Sequence, residues 1–170
     1  MEIRLIDADS FPADSLLRFN RHQTVGNVYR QVDGQLVLTY NPFEEDWSPE
    51  RIREKTAEIL GGRYTVFCAY DGELVAGLLM LVPELDKGRM IVSSLHVSEE
   101  YRRKGVGRAL IEAAKTEARA HGARALYLSA CSAEETIEFY RAMGFGVSPD
   151  PIKAYADDEP FDIQMQCPLQ

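Results

Sequence analysis

The stretch Leu95-His96-Val97-Ser98-Glu99-Glu100-Tyr101-Arg102-Arg103-Lys104-Gly105-Val106-Gly107-Arg108 joins an apolar strand pattern to an amphipathic helix pattern. Upstream, Met90-Ile91-Val92-Ser93-Ser94-Leu95-His96-Val97 reads as a strand. Downstream, Ala109-Leu110-Ile111-Glu112-Ala113-Ala114-Lys115-Thr116-Glu117-Ala118 reads as a helix. A glycine-bearing turn that feeds a helix start leaves several backbone N–H groups without partners inside the helix. Those donors sit at the positive end of the helix dipole, so the turn suits an anion. Gly105 and Gly107 let the backbone approach a phosphate, and supply positive φ where a side chain would clash. Arg102, Arg103, Lys104 and Arg108 add positive charge. Taken alone, R-x-x-G-x-G fits a diphosphate cradle and a solvated basic turn equally. Two other phosphate loops are excluded: there is no G-x-x-x-x-G-K-[ST], and no G-x-G-x-x-G followed by an acidic ribose-binding residue.

Composition sets the cluster in relief. The chain has 170 residues, 45% apolar and 27% charged, which predicts one ordinary globular domain over 1–170. Its 19 basic and 27 acidic residues leave a net charge of −8, which disfavours nucleic acid and anionic membrane surfaces and mildly favours cationic small molecules or basic peptides. The basic residues at 102–108 therefore stand against the global sign. No apolar run approaches the roughly 20 residues of a membrane span, and Met1-Glu2-Ile3-Arg4-Leu5 lacks a signal-peptide pattern. Cys68, Cys131 and Cys167 are irregularly spaced, as in a reduced cytoplasm. His22, His96 and His121 are scattered, without zinc-ligand spacing to any cysteine, so no metal site is expected.

Working outward, Glu2–Ile6 alternates as a first strand, and Phe11–Phe19 reads as a helix with Leu16, Leu17 and Phe19 inward. Val25–Val32 and Gln35–Tyr40 flank the hairpin dipeptide Asp33-Gly34. An acidic, aromatic loop occupies residues 41–47. Ser48-Pro49 opens a helix that Gly61-Gly62 ends after Leu60. Strands are expected at Tyr64–Tyr70, Glu73–Val82 and Arg89–Val97, with turns at Asp71-Gly72 and Glu84–Gly88. After the glycine turn a helix runs to about His121, then a buried strand at Ala125–Ala130. Ser132-Ala133-Glu134-Glu135 has the form of a capping box opening a helix to Met143. Phe145–Val147 and Phe161–Cys167 form a last strand pair across a long connection, Ser148–Pro160. The sum is a mixed sheet with helices on both faces.

Two motifs on this framework resemble the GNAT superfamily of acetyl-CoA-dependent N-acetyltransferases. Leu95-His96-Val97 followed by Arg102-x-x-Gly105-x-Gly107 is similar to the family's pyrophosphate loop, and Phe139-Tyr140-x-x-x-Gly144-Phe145 to its second signature. The resemblance implies an α/β fold (α+β mixed sheet) with a central twisted mixed β-sheet of about seven strands, helices on both faces and an extra N-terminal hairpin. It implies an acyltransferase that moves acetyl from acetyl-CoA to a primary amine of a small molecule or peptide, in the cytoplasm, with a homodimer allowed.

The resemblance also implies roles. The N–H groups of Arg103, Lys104, Gly105, Val106, Gly107, Arg108 and Ala109 would hold the diphosphate, with Arg102 and its basic neighbours supplying charge. The backbone of Leu95, His96 and Val97 would pair with the pantetheine arm, which requires the strands at 89–97 and 125–130 to splay. An N–H near Val97 would polarise the thioester carbonyl, the amine would attack directly, and Tyr140 would protonate the leaving thiolate. A core aromatic is the other reading of Tyr140, since Ile137, Tyr140 and Gly144 share a helix face. Relatives often carry an asparagine near Ala133, whose place Ser132 would take, and a carboxylate near Ser93 and Ser94. The base is therefore open among His96, Glu99, Glu100, a water relay and a neutral amine. Cys131 reads as a buried strand-end cysteine rather than a nucleophile. For the acceptor, Phe43, Glu44 and Trp47, with Glu45 and Asp46 beside them, form one candidate wall and Asp157-Asp158-Glu159 another. Two other readings compete: a non-catalytic acyl-CoA-binding module, and a nucleotide-phosphate enzyme using the same turn.

Overall fold

The computed structural model describes residues 1–170. Hairpin chemistry builds most of the sheet. Asp71-Gly72, with Gly72 at φ +60°, joins β4 (Thr65–Asp71) to β5 (Leu74–Asp86), and Lys87-Gly88, both at positive φ, joins β5 to β6 (Arg89–Val97). β1 (Glu2–Leu5) pairs with β4 at the edge. Only one neighbouring pair is parallel, β6 with β7 (Ala125–Ala130), and a parallel pair needs a crossover. α2 (Val106–Ala120) supplies it. β8 (Gly146–Val147) and β9 (Ile163–Pro168) complete a seven-stranded mixed sheet in the order β1-β4-β5-β6-β7-β9-β8.

Helices cover both faces because each carries one apolar stripe. α2 buries Val106, Leu110, Ile111, Ala114 and Ala118, and with α3 (Glu134–Ala142) it seals a core containing Leu79, Leu81, Val92, Leu126 and Leu128. The opposite face packs Phe11, Leu16, Phe19 and Ile59 of α1 (Pro49–Leu60) on Val66, Cys68, Leu78 and Met80. Ser48 caps α1 by accepting from the Arg51 N–H at 3.1 Å. On that face too, Tyr155 of α4 (Lys153–Asp158) packs on Tyr127.

The structure corrects several sequence expectations. Residues 11–19 form successive turns, with N–H to C=O bonds from Ser15 to Pro12, Leu17 to Asp14 and Phe19 to Leu16, rather than a helix. Phe11, Leu16 and Phe19 anchor them, and Leu17 is 74% exposed. The hairpin is longer than expected: β2 (Gln23–Val32) and β3 (Gln35–Glu45) pair past a bulge between Val25 and Asn27, so most of the expected loop is strand. This pair is a separate two-stranded sheet. Ser132 does not cap α3; Ala133 occupies that position without a side-chain bond. The reason is the hairpin, because the Ser132 carbonyl accepts the Tyr29 N–H at 2.7 Å and the Ser132 hydroxyl accepts Arg30 Nη1 at 2.9 Å. The connection after β8 contains α4.

Two irregularities in β6 shape the surface around the glycine turn. Met80 pairs with Ser94 but Leu81 with Val92, leaving Ser93 as an extra residue. And β6 pairs with β7 only over Arg89–Ile91 and Ala125–Tyr127. Beyond those three pairs the strands part, as the resemblance requires.

Candidate functional site

The parted strands open beside the start of α2. Arg103 (φ +61°) and Gly105 (φ +83°) bend the chain into the helix through left-handed conformations. The first helical hydrogen bond runs from the Ala109 N–H to the Gly105 carbonyl at 3.0 Å. Ala109 thus leaves the expected donor set, its amide being used by the helix. The N–H groups of Arg103, Lys104, Gly105, Val106, Gly107 and Arg108 donate to nothing within the chain. Six amide donors converge on one bend, flanked by the exposed side chains of Arg103, Lys104 and Arg108. Arg102 turns inward instead. Its Nε donates to the Val97 carbonyl at 3.1 Å, tying the turn to the end of β6, and burial together with Arg21 lowers its pKa.

Glycines set the fit of α2. A Cβ on Gly107 would stand 3.0 Å from Phe139 Cζ, so this glycine admits the aromatic ring of the second motif rather than a positive φ. A Cβ on Gly77 of β5 would stand 2.8 Å from Val106 Cγ1 and 3.0 Å from Leu110 Cδ1. The helix N-terminus therefore rests directly on the sheet.

Alternation divides β6 between the faces. Leu95 and Val97 lie with the α2 core, while Ser94 and His96 face the α1 side. His96 Nδ1 accepts from Arg21 Nε at 2.9 Å, and the ring stands edge-on to Trp47 at 4.6 Å. Burial, then Arg21, Lys55, Arg51 and Arg102, hold its pKa well below that of a free histidine. With its Nδ1 lone pair engaged, His96 carries its proton on Nε2 and is a donor, not a base. Ser94 Oγ accepts from the buried Lys55 at 3.0 Å, and Ser93 is exposed. Glu99 accepts from Asn20 Nδ2, ahead of β2, and Glu100 from the Ser98 hydroxyl of its own loop, each at 3.0 Å.

Across the parted strands, Tyr140 is 8% exposed, with Phe139 and Phe145 edge-on at 5.2 and 5.5 Å. Burial pushes its hydroxyl pKa far up, so it remains protonated and able to donate. The same cause raises the Cys131 thiol and keeps it from acting as a thiolate. Asp162, unsignalled in the sequence, is brought here by register. Ile163 pairs with Ala130, so the next position beyond the ladder sets Asp162 across from Cys131. Asp162 accepts from the Ser129 hydroxyl at 3.0 Å, its pKa is raised mainly by burial, and its charge reaches both Cys131 and Tyr140.

The expected acceptor wall is split. Trp47 lies on the α1 face, between Phe19 (5.6 Å) and His96. Phe43 packs with Val25, Val28 and Ala133, and the exposed Glu44 meets Thr24. It is Glu45 that turns to Arg21, at 3.5 Å. Asp157 pairs with Lys153 within α4. Sequence reading passed over Arg21 and Lys55, since a lone cation in a connecting segment or on an amphipathic helix carries no local signal.

A sequence model of the acetyltransferase (GNAT) family matches residues 34–145. No curated protein matches the chain in sequence. Among solved structures, nourseothricin acetyltransferase is similar over 99% of this chain and 98% of its own, with a TM-score of 0.74 and 24% identity. An aminoglycoside 6'-N-acetyltransferase complexed with coenzyme A (TM-score 0.62, 16% identity) covers 99% of this chain and 97% of its own. The ribosomal-protein-S18-alanine N-acetyltransferase from Escherichia coli (0.61, 18%) covers 99% and 94%. At these identities the likeness is one of fold.

Proposed function

The chain belongs to the acetyltransferase (GNAT) family, and from that premise we propose that it transfers acetyl from acetyl-CoA to the primary amine of a small molecule or peptide by direct attack. The observation that carries this reading is the set of six unengaged amides at the start of α2, beside strands that part after three residue pairs. The diphosphate takes the amides and the charge of Arg103, Lys104 and Arg108, while the pantetheine arm lies along Leu95–Val97 in place of the missing strand contact. The cofactor complexes of similar folds support the same co-substrate here. Ser132, engaged by Arg30, borders the arm rather than reaching for it.

The amine nitrogen attacks the thioester carbonyl and the C–S bond breaks. Tyr140 gives its proton to the departing sulfur. A cationic amine first gives one proton to Asp162, whose burial-raised pKa suits that task better than any group on β6, and the neutral nitrogen then attacks. The nitrogen's second proton passes to the Tyr140 oxygen as Tyr140 protonates the sulfur. The net charge of −8 and the carboxylates of Glu45 and Asp162 favour a cationic amine. Thiol release from acetyl-CoA across a panel of amines, followed by mass spectrometry of the products, tests the reading. Release that depends on an amine and yields a product about 42 Da heavier is expected. Tight CoA binding with no release for any amine would instead mark a binding module, and stabilisation by ATP exceeding that by CoA would overturn the co-substrate.

A further inference from the structure

One buried side-chain nitrogen or oxygen in the whole chain lacks a hydrogen-bond partner: Arg21 Nη1. Arg21 lies between Asn20, whose N–H is held by the Ser98 hydroxyl, and the first residues of β2. Its side chain is only 13% exposed. Nε is committed to His96, and Nη2 meets Glu45 at 3.5 Å, the far limit of a hydrogen bond, through a carboxylate 46% exposed. A guanidinium is always charged and offers five donors in a planar fork. Leaving one end of that fork unsatisfied inside a protein is costly, and such a group persists where something else satisfies it.

The position says what that partner is near. Arg21 stands on the α1 side of β6, opposite the face that carries α2, so the six amides of the turn are not its partners. Its charge reaches Tyr140 and Cys131 across the parted strands and Arg102 at the end of β6. The side chain it holds is His96, which packs against Trp47 and feels the charges of Lys55 and Arg51. His96 offers only an N–H on its free side. This wall therefore presents donors, while Glu45 and Asp162 present acceptors.

We propose that Arg21 determines acceptor specificity: the end of its fork, Nη1 and Nη2, takes a carboxylate or carbonyl oxygen that the acceptor carries next to its reacting amine. The oxygen replaces the weak contact with Glu45, which is released to face the ammonium group. The preferred acceptor is thus an amino acid or an aminoacyl amide rather than a bare alkylamine. This rests on the acetyl-transfer reading and narrows its substrate class.

The lone tryptophan, Trp47, lies against His96 and reports on this wall. Its fluorescence is titrated, on the full chain saturated with CoA, with three probes: lysine, lysinamide and cadaverine, which carry a carboxylate, an amide carbonyl and neither. A charge-assisted contact of this kind predicts that lysine or lysinamide binds about 10-fold to 100-fold more tightly than cadaverine. In Arg21→Met, which keeps the volume, the preference falls below about twofold; in Arg21→Lys, which keeps a point charge without the fork, it is intermediate. Equal affinity for the three probes, or a preference that survives Arg21→Met, overturns the proposal. Failure of the acetyl-transfer reading registers separately, as absence of thiol release from acetyl-CoA with all three probes, while the titration still judges Arg21.

Discussion

At the scale of single residues, burial assigns the chemistry. Tyr140 is sealed by Phe139 and Phe145 and stays protonated at neutral pH, which suits the acid role proposed for it and not that of a base. Tyr140→Phe is expected to lower kcat by about 10²-fold with little change in the affinity for acetyl-CoA; equal rates in stopped assays of the two proteins would remove the role. His96 makes a different prediction. Its folded pKa lies below that of the unfolded chain, so the unfolded state binds the extra proton. Stability is full above about pH 6.5 and falls as the pH drops below it, by at most about 1.4 kcal/mol per unit from this one group. Denaturant titrations between pH 5 and 7 should give a shallower slope in His96→Gln than in the parent. The sequence offered His96 as a candidate base on its intrinsic pKa. What it could not reveal was Arg21, seventy-five residues away, occupying the nitrogen a base would need.

At the scale of elements, the site is a matter of how α2 and α3 sit on the sheet. Both motifs were legible because their residues are local: a positive φ at Gly105, and an aromatic pair closing a helix at Gly144. Their contact was not legible, since Gly107 reads as a phosphate glycine and proves to be the seat of the Phe139 ring. The loss of the Ser132 cap has a long-range cause, the docking of β2 on the start of α3 through Tyr29, Asn27 and Arg30. Long-range pairing of that kind overrides a local capping signal. Gly77 offers the sharpest test at this scale. Gly77→Ala forces Val106 and Leu110 outward and should cost about 1–2 kcal/mol in denaturant melts. It should also weaken acetyl-CoA binding by displacing the amides, although residue 77 is not part of the turn. Adding Val106→Ala removes the nearest clashing atom and should restore much of both losses. Affinity unchanged in Gly77→Ala would mean that the seat of α2 does not position the turn.

At the scale of the whole molecule, element order, charge and the late crossover were enough to expect a mixed sheet with helices on both faces. The turns at residues 11–19 were not, because Leu16 and Phe19, three residues apart, suit a helix and a packed loop alike. Asp162 escaped for a related reason: its place opposite Cys131 comes from the β7–β9 register, which no local pattern encodes. The fold brings together a basic bend and a parted strand pair, with Arg21 and His96 on the α1 side of β6, on a chain whose net charge is −8. The proposed function depends on the bend at the start of α2 gripping a diphosphate and so aiming a thioester along β6. A crystal structure with bound coenzyme A decides whether it does. Phosphate oxygens are expected within about 3 Å of the N–H groups between Arg103 and Arg108, and the pantetheine arm between β6 and β7 with its sulfur near Tyr140. Coenzyme A bound elsewhere, with the Arg103–Arg108 amides turned to solvent, would contradict that assignment.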